Sequence, residues 1–506
     1  MEIIELLKKG EIKNKDELQN IKISLSRKYK CPVIRSSVVY AMLNEADKKQ
    51  YNYLLQIKPS RTESGVTPVA IMTSPYACPH GKCIYCPGGV ENHTAQSYTG
   101  EEPAALRARQ NSYDPFLQTK SRLETLIATG HPVDKIDLII MGGTFTARDR
   151  SYQQDFIKRA FDAVNGYDAV TLEEAIAINE TAERRVIGIT VETRPDWFMK
   201  EHRDLALSYG ATRVELGVQC IEDSVLKATH RAHTVNDIAM ATSGAREDGF
   251  KIVYHLMPGL PGMNPERDLE GAKKIFSDER FKPDMLKIYP TLVIKNTVLY
   301  DLWRHGAYTP YDTEVSAELI ARIMEIIPPY VRIQRIQRDI PARLIVDGVK
   351  QSNLHEIAIK KLEEKGMKCR CIRCREVARN VVSDRSLQMK RFIYNASSGT
   401  EYFLSIENNE EHIFGYLRLR LNSNAKTSII RELKVLGAEV LLNRTPYMDR
   451  EVQHRGLGKW LIEEAERITI DNRIDMIHVL SGVGVREYFR KIGYFKKEPY
   501  MARKLV

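Results

Sequence analysis

The stretch Cys78-Pro-His-Gly-Lys-Cys83-Ile-Tyr-Cys86-Pro-Gly-Gly89 follows closely on the apolar run Val69–Met72. Three thiolates so close together can hold three irons of a four-iron cluster. The fourth iron is then left open to chelate a substrate, unlike the four-cysteine sites of electron carriers. A zinc loop completed by His80 or His93 is the competing reading. Working outward, five more β-rich runs follow: Ile136–Met141, Val186–Val191, Arg213–Leu216, Ile252–Leu256 and Met285–Ile288. They are apolar and largely uninterrupted, as strands buried on both faces should be. Amphipathic stretches separate them. One is Phe116–Ala128, whose Leu117, Leu123, Leu126 and Ile127 are expected on one inward side. Such alternation predicts parallel βαβ units. Six strands rather than eight predict an open, partial (β/α)6 barrel, an α/β fold.

The carboxy-terminal ends of these strands, where barrels place their chemistry, carry further signals. Gly142-Gly143-Thr144 follows the second strand and Glu192-Thr-Arg-Pro195 the third. The fourth continues as Glu215-Leu-Gly-Val-Gln219, with Thr229-His-Arg231 beyond it, and the fifth runs into His255-Leu-Met-Pro-Gly. Paired glycines let backbone approach a ligand closely. Together these residues resemble the radical S-adenosylmethionine superfamily over about residues 60–330, especially the branch containing anaerobic coproporphyrinogen oxidase. The resemblance implies that Cys78, Cys83 and Cys86 hold a [4Fe-4S] cluster whose open iron chelates S-adenosylmethionine. It places Gly142, Gly143 and Thr144 at the methionyl amino group, and Glu192, Gln219 and Arg231 on the rest of that cofactor.

Composition changes after Pro328-Pro329 and again near Asn380. Tyr402–Glu407, Phe414–Arg420 and Ser428–Leu436 read as antiparallel strands. A helix from Leu457 to Ile468 follows, with Trp460, Leu461, Ala465 and Ile468 expected inward, then a strand at Ile477–Leu480 and a short helix at Val485–Ile492. Gln453-His-Arg-Gly456-Leu-Gly458-Lys459 opens the longer helix, and such a glycine turn aims N–H groups and the positive dipole end at an anion. The pattern resembles the pyrophosphate-binding turn of the GNAT acetyltransferases, over about residues 380–506. That family implies acetyl-CoA binding by Gln453, Gly456, Leu457, Gly458 and Lys459. Glu432, Leu433, Lys434 and Val435 would line the pantetheine arm, and Phe489 would add a contact. Many GNAT enzymes place a tyrosine where Phe489 stands, so Tyr488 beside it is the candidate general acid.

A second cysteine group, Cys369-Arg-Cys371-Ile-Arg-Cys374, offers three ligands of a tetrahedral structural zinc site, with His355 as the candidate fourth. The flanking arginines are expected to lower the thiol pKa values.

The chain has 506 residues, is 43% hydrophobic and 28% charged, and carries a net charge of +10. Those proportions exclude wholesale disorder and collagen-like order. No apolar run reaches the ~18 residues of a membrane span, the start of the chain is acidic, and a cytoplasmic protein is expected. The positive charge is concentrated. Residues 331–379 hold thirteen Lys or Arg against six Asp or Glu, and the first fifty hold eleven against seven. This asymmetry suggests a polyanion partner, with Arg332, Arg335, Arg338, Arg343, Lys360, Lys361, Arg370, Arg373 and Arg375 as candidate phosphate contacts. The expected organisation is a basic N-terminal segment (1–60), a radical S-adenosylmethionine domain (61–330), a basic linker with the candidate zinc site (331–380) and a GNAT domain (381–506).

The combination resembles the family of the Elongator catalytic subunit and its stand-alone archaeal relatives, and Gln96-Ser-Tyr-Thr-Gly, Met141-Gly-Gly-Thr-Phe and Gln337-Arg-Asp-Ile-Pro fit it too. The resemblance implies a tRNA uridine(34) acetyltransferase, or carboxymethyluridine synthase, acting on the anticodon stem-loop. A 5′-deoxyadenosyl radical would abstract hydrogen from the acetyl methyl of acetyl-CoA, the carbon radical would add to C5 of the uridine, and the thioester would be hydrolysed. The same resemblance implies that Lys135, with Tyr488 a candidate catalytic residue, touches the coenzyme from the barrel side. A protein lysine acetyltransferase with a structural iron–sulfur domain is the alternative, and a homodimer or accessory subunits stay open.

Overall fold

The computed structural model describes residues 2–58, 62, 64–379, 384, 386–422, 426–437 and 456–505. Its strands are β1 (Val66–Met72), β2 (Lys135–Met141), β3 (Arg185–Thr193), β4 (Arg213–Gln219), β5 (Lys251–Leu256), β6 (Met285–Ile288), β7 (Val293–Ile294), β8 (Arg332–Ile336) and β9 (Ile345–Asp347) in the first part of the chain. β1-β2-β3-β4-β5-β6-β8 form one parallel sheet that stays open between β1 and β8, while β7 pairs with β9. All six expected strands are present, and the open barrel has a seventh. β8 lies in the segment expected to be linker. Its Arg332-Ile-Gln-Arg-Ile reads as solvated charge, yet Ile333 is fully buried and Arg332 pairs with Glu376 at 2.8 Å. A guanidinium with a partner can line a strand, which composition does not reveal.

The helix Pro115–Ala128 buries Leu123 and Leu126 against β1, but Leu117 and Ile127 are exposed rather than inward. Gln118 takes the inward place because its amide both donates to and accepts from the Met72 backbone, at 2.9 and 2.8 Å. The basic N-terminal residues are also more than an arm. Helices Glu2–Lys8, Lys15–Lys28, Ser36–Ala41 and Glu45–Leu55 close over a small core of their own around Leu7, Leu18, Val39 and Leu54.

The second sheet is built from β10 (Gln388–Ala396), β11 (Gly399–Glu407), β12 (Ile413–Leu421), β13 (Ser428–Val435), β14 (Met476–Val479), β15 (Phe495–Lys497) and β16 (Tyr500–Lys504), in the order β10-β11-β12-β13-β14-β16-β15. Among the described residues β13 and β14 are the parallel neighbours of this sheet and pair over Ser428–Ile430, so β13 continues past its partner and leaves a notch. Helix Leu457–Asp471 covers the sheet through Leu461, Ile462, Ala465 and Ile468. Trp460 is 39% exposed, contrary to expectation, because Leu457, Leu461, Ala465 and Ile468 set the buried stripe and Trp460 falls at its margin.

This sheet is docked on the floor of the barrel, at the amino-terminal ends of its strands. Glycines allow the approach. A Cβ at Gly482 would stand 1.9 Å from the Ile187 carbonyl oxygen, and one at Gly249, whose φ is +87°, would meet Ile429 at 2.8 Å. Charge locks the seam. Asp284, which precedes β6, binds Arg431 of β13 through both oxygens at 2.6 and 2.8 Å, and Glu180 binds Arg486 at 2.7 Å.

Candidate functional site

The mouth of the barrel gathers the first cysteine group. Cys86 Sγ accepts hydrogen bonds from the Gln96 side-chain amide at 3.0 Å and the Ser97 backbone N–H at 3.2 Å. Arg231 reaches Cys83 Sγ at 3.6 Å while donating to the Gly217 carbonyl at 2.6 Å, and Thr144 Oγ1 lies 3.4 Å from Cys78 Sγ. Burial pushes the Cys78 and Cys86 thiols up, so an ionised form needs a cation. Donors aimed at three sulfurs suit thiolates of an iron–sulfur cluster. A single zinc ion would need its ligand atoms closer. His80 Nε2 does lie 3.2 Å from Cys83 Sγ, but among the described residues no group of three ligand atoms within 4.8 Å joins these cysteines to His80 or His93.

Gly143, Thr144, Glu192, Gln219 and Arg231 line one cavity of about 140 Å³ with Cys78 and Cys86, with Gly142 directly beside it. A Cβ at Gly142 would stand 2.1 Å from Thr73 Oγ1, which accounts for one half of the glycine pair. The same cavity holds groups that sequence reasoning did not assign as site residues. Tyr98 donates to Glu192 at 2.7 Å, His255 Nε2 lies 2.9 Å from Glu215, and Lys287 pairs with Glu215 and stands 4.0 Å from Glu192. Burial alone would raise the Glu215 carboxyl, but Lys287, His255 and Arg213 hold it well below the usual range. Burial leaves Glu192 above its ordinary value despite Lys287. Glu192, Glu215 and His255 have the makings of a metal site, but the Lys287 ammonium already neutralises that space. A lysine inside the run Met-Leu-Lys-Ile and a glutamate inside Val-Glu-Leu-Gly were the available signals, since a charge in a buried strand requires a partner.

In the carboxy-terminal domain Gly456 adopts φ +80° and opens helix Leu457–Asp471, whose first N–H groups have no side-chain cap among the described residues. Gly458, the Val435 side chain and the Tyr488 hydroxyl converge there. Tyr488 is 39% exposed over this helix start, whereas Phe489 is buried between Tyr488 and Tyr494. Glu432, Leu433, Lys434 and Val435 end β13 along the notch, and Lys135 begins β2, 3.6 Å from Asp134. Gln453 lies outside the described residues.

The sulfurs of Cys369, Cys371 and Cys374 come within 4.8 Å of one another, and His355 lines the cavity beside them. The flanking arginines are not the main influence on these thiols, although Arg373 does pull Cys374 down. Cys369 and Cys374 lower Cys371 through hydrogen bonds, and Cys369 rises in turn. Arg375 is instead turned away to Glu407 at 3.0 Å. Several candidate phosphate contacts are likewise committed elsewhere: Arg332 to Glu376, Arg335 to Asp339, Arg343 to Glu101 and Lys361 to Glu314. Arg338 donates to the Ser97 carbonyl beside the cluster loop.

Residues 72–272 match the Radical SAM superfamily, and residues 283–364 match its C-terminal domain. The tRNA uridine(34) acetyltransferase of Methanocaldococcus jannaschii is 46% identical, covering 99% of this chain and 96% of its own. Human Elongator complex protein 3 is 43% identical over 89% of this chain and 86% of its own. The solved structure of the archaeal Methanocaldococcus infernus Elp3 with an N-terminal deletion is 44% identical, covering 87% of this chain and 99% of that one, with a TM-score of 0.77.

Proposed function

Because the chain belongs to the family of the tRNA uridine(34) acetyltransferases and Elongator complex protein 3, we propose that it modifies C5 of the wobble uridine of tRNA using acetyl-CoA and S-adenosylmethionine. The supporting observation is one chain that carries both a barrel mouth with donors aimed at three cysteine sulfurs and a glycine turn that opens a helix. C5 of uracil is too weak a nucleophile for ordinary acyl transfer, and a four-iron cluster with S-adenosylmethionine supplies, when bound, the radical chemistry that removes this obstacle.

This chain's residues divide the work. Cys78, Cys83 and Cys86 hold the cluster. Gly142, Gly143 and Thr144 receive the methionyl amino group, and Glu192, Gln219 and Arg231 hold the remainder of S-adenosylmethionine. The N–H groups from Leu457 to Lys459, with Gly456 and Gln453, take the coenzyme pyrophosphate. Glu432 to Val435 line the pantetheine arm, with Lys135 and Phe489 adding contacts. Tyr488, over that helix start, delivers a proton to the departing thiolate. Cys369, Cys371 and Cys374 hold a structural zinc, with His355 as fourth ligand. The anticodon stem-loop lies along the exposed basic side chains, with the target uridine turned out toward the barrel mouth, and the enzyme works in the cytoplasm.

Anaerobic incubation with tRNA, acetyl-CoA, S-adenosylmethionine and a reductant, followed by nucleoside mass spectrometry, tests the reading. C5-carboxymethyl uridine is expected from the wild type and not from Cys83→Ser. Its absence from the wild-type reaction refutes the proposal. Product formation by Cys83→Ser would favour plain acetyl transfer.

A further inference from the structure

A second group of charged side chains lies at the opposite end of the barrel from the cysteines, where the strands begin and the carboxy-terminal domain docks. Asp137 of β2, Arg213 of β4 and Lys251 of β5 belong to the barrel, and Glu432 and Lys434 to β13 of the docked domain. Most of these charges are matched. Asp137 accepts from Arg213 at 2.6 Å, and Glu432 accepts from Arg418 at 2.8 Å and from the Tyr416 hydroxyl at 3.0 Å. The two lysines are the exceptions. Neither has a carboxylate within 4.0 Å among the described residues. The hydrogen bond Lys251 makes is a long one, 3.4 Å, to the carbonyl oxygen of Arg431.

That carbonyl marks a particular place. Arg431 is the bulge residue of β13, skipped where Arg418 pairs with Glu432 and Leu419 with Ile430. Ile430 is also the last residue of β13 paired with β14. The Lys251 ammonium therefore stands where the notch of the carboxy-terminal sheet opens, although it is delivered by the other domain. The ammonium is half-buried, with Glu432 as the nearest opposing charge but no carboxylate in contact, so a guest that supplies an acceptor there is favoured. Burial brings the Lys251 amine down to about 8 and lowers Lys434 as well, so Lys251 is still protonated at pH 7.

We propose that this floor is the acyl-recognition site, with the Lys251 ammonium donating to the thioester carbonyl oxygen of an acyl-CoA and Lys434 flanking it. The inference rests on the reading above that the Gly456 turn holds the coenzyme. It adds that the acyl end is recognised by the barrel and not by the coenzyme-binding domain alone. A charge-assisted hydrogen bond in an enclosed site is strong enough to separate an acyl-CoA from the free thiol.

Calorimetric titration of the intact protein with acetyl-CoA and, separately, with CoA tests this. The wild type is expected to prefer acetyl-CoA. Lys251→Met is expected to weaken acetyl-CoA binding about tenfold, equivalent to ~1.4 kcal/mol, while CoA affinity stays within about twofold and so reports an intact fold. Lys251→Arg keeps the charge and is expected to retain part of the preference. Equal weakening of both ligands, or no change in either, overturns the proposal. If the wild type binds neither ligand, the coenzyme assignment itself falls and takes the acyl site with it. If the wild type binds both equally, only the acyl site is refuted.

Discussion

Asp284→Asn removes one negative charge from the seam between the two large domains without changing side-chain size. The carboxylate is fully buried and accepts from Arg431 at 2.6 and 2.8 Å and from the Ile252 backbone N–H at 2.9 Å, with Arg418 at 3.4 Å. Asparagine keeps an acceptor for Ile252 but leaves Arg431 with Glu401 alone and Arg418 with Glu432 alone. Removing one member of a buried ion pair costs ~3–5 kcal/mol, because the surviving charge cannot return to water. Against a typical total of ~5–15 kcal/mol this is severe. The seam should loosen before the barrel core does. Urea unfolding followed by tryptophan fluorescence measures the change, since Trp460 lies on the helix of the docked domain. A loss under about 1 kcal/mol would refute the argument. The double variant Asp284→Asn with Arg431→Met should be less destabilised than the sum of the two single variants, because the second change removes the stranded charge. Strict additivity would refute it equally.

The sign with pH follows from the same geometry. Burial opposes ionisation of Asp284, but Arg431 and Arg418 hold its carboxyl below the ordinary value. Its contribution is therefore fully present above the unfolded value of ~3.9 and is lost only as pH falls through the lower folded value. The difference between wild type and Asp284→Asn should be flat from neutral pH to about pH 5 and shrink below it.

Other predictions follow from single residues. Gly249→Val places a branched side chain at φ +87°, 2.8 Å from Ile429. It should lower the melting temperature and destabilise by at least ~1–3 kcal/mol, whereas an unchanged melting point would show that the seam gives way freely. Cys83→Ser should abolish iron incorporation on reconstitution, read as iron per chain and visible absorbance, and retention of a full iron complement would exclude Cys83 as a ligand. Tyr488→Phe should slow thioester cleavage about 10²-fold with acetyl-CoA affinity unchanged, and normal turnover would remove the hydroxyl from the reaction. Binding of tRNA should weaken steeply between low and high salt, and a flat dependence measured by filter binding would contradict a phosphate track.

Legibility in the sequence was uneven, for physical reasons. Val186–Val191 and Ile252–Leu256 are apolar enough to declare strands because both of their faces are covered. β8 was missed because Arg332 and Arg335 look solvated until Glu376 and Asp339 are seen beside them. Leu117 and Gln118 exchange their expected places because a backbone partner outweighs side-chain polarity. Trp460 is apolar yet exposed because it falls at the margin of the stripe that Leu457, Leu461, Ala465 and Ile468 bury. At the site, the cysteine and glycine groups are local in the chain and could be read directly. The partners of Tyr98 and Lys251 lie 94 and 180 residues away, at Glu192 and Arg431, so their places become legible only in the fold.

The sequence by itself determined a parallel αβ sheet, a cysteine loop at its carboxy-terminal edge and a glycine turn opening a late helix, because each depends on neighbours a few residues apart. Only the tertiary structure decided how the +10 is distributed in energy, since Asp284, Glu376 and Glu407 neutralise arginines far from them in the chain. It also decided which lysines are left over. Lys251 and Lys434 stand out because, among the described residues, Asp137 is bound by Arg213 and Glu432 by Arg418, and that is a property of packing, not of composition.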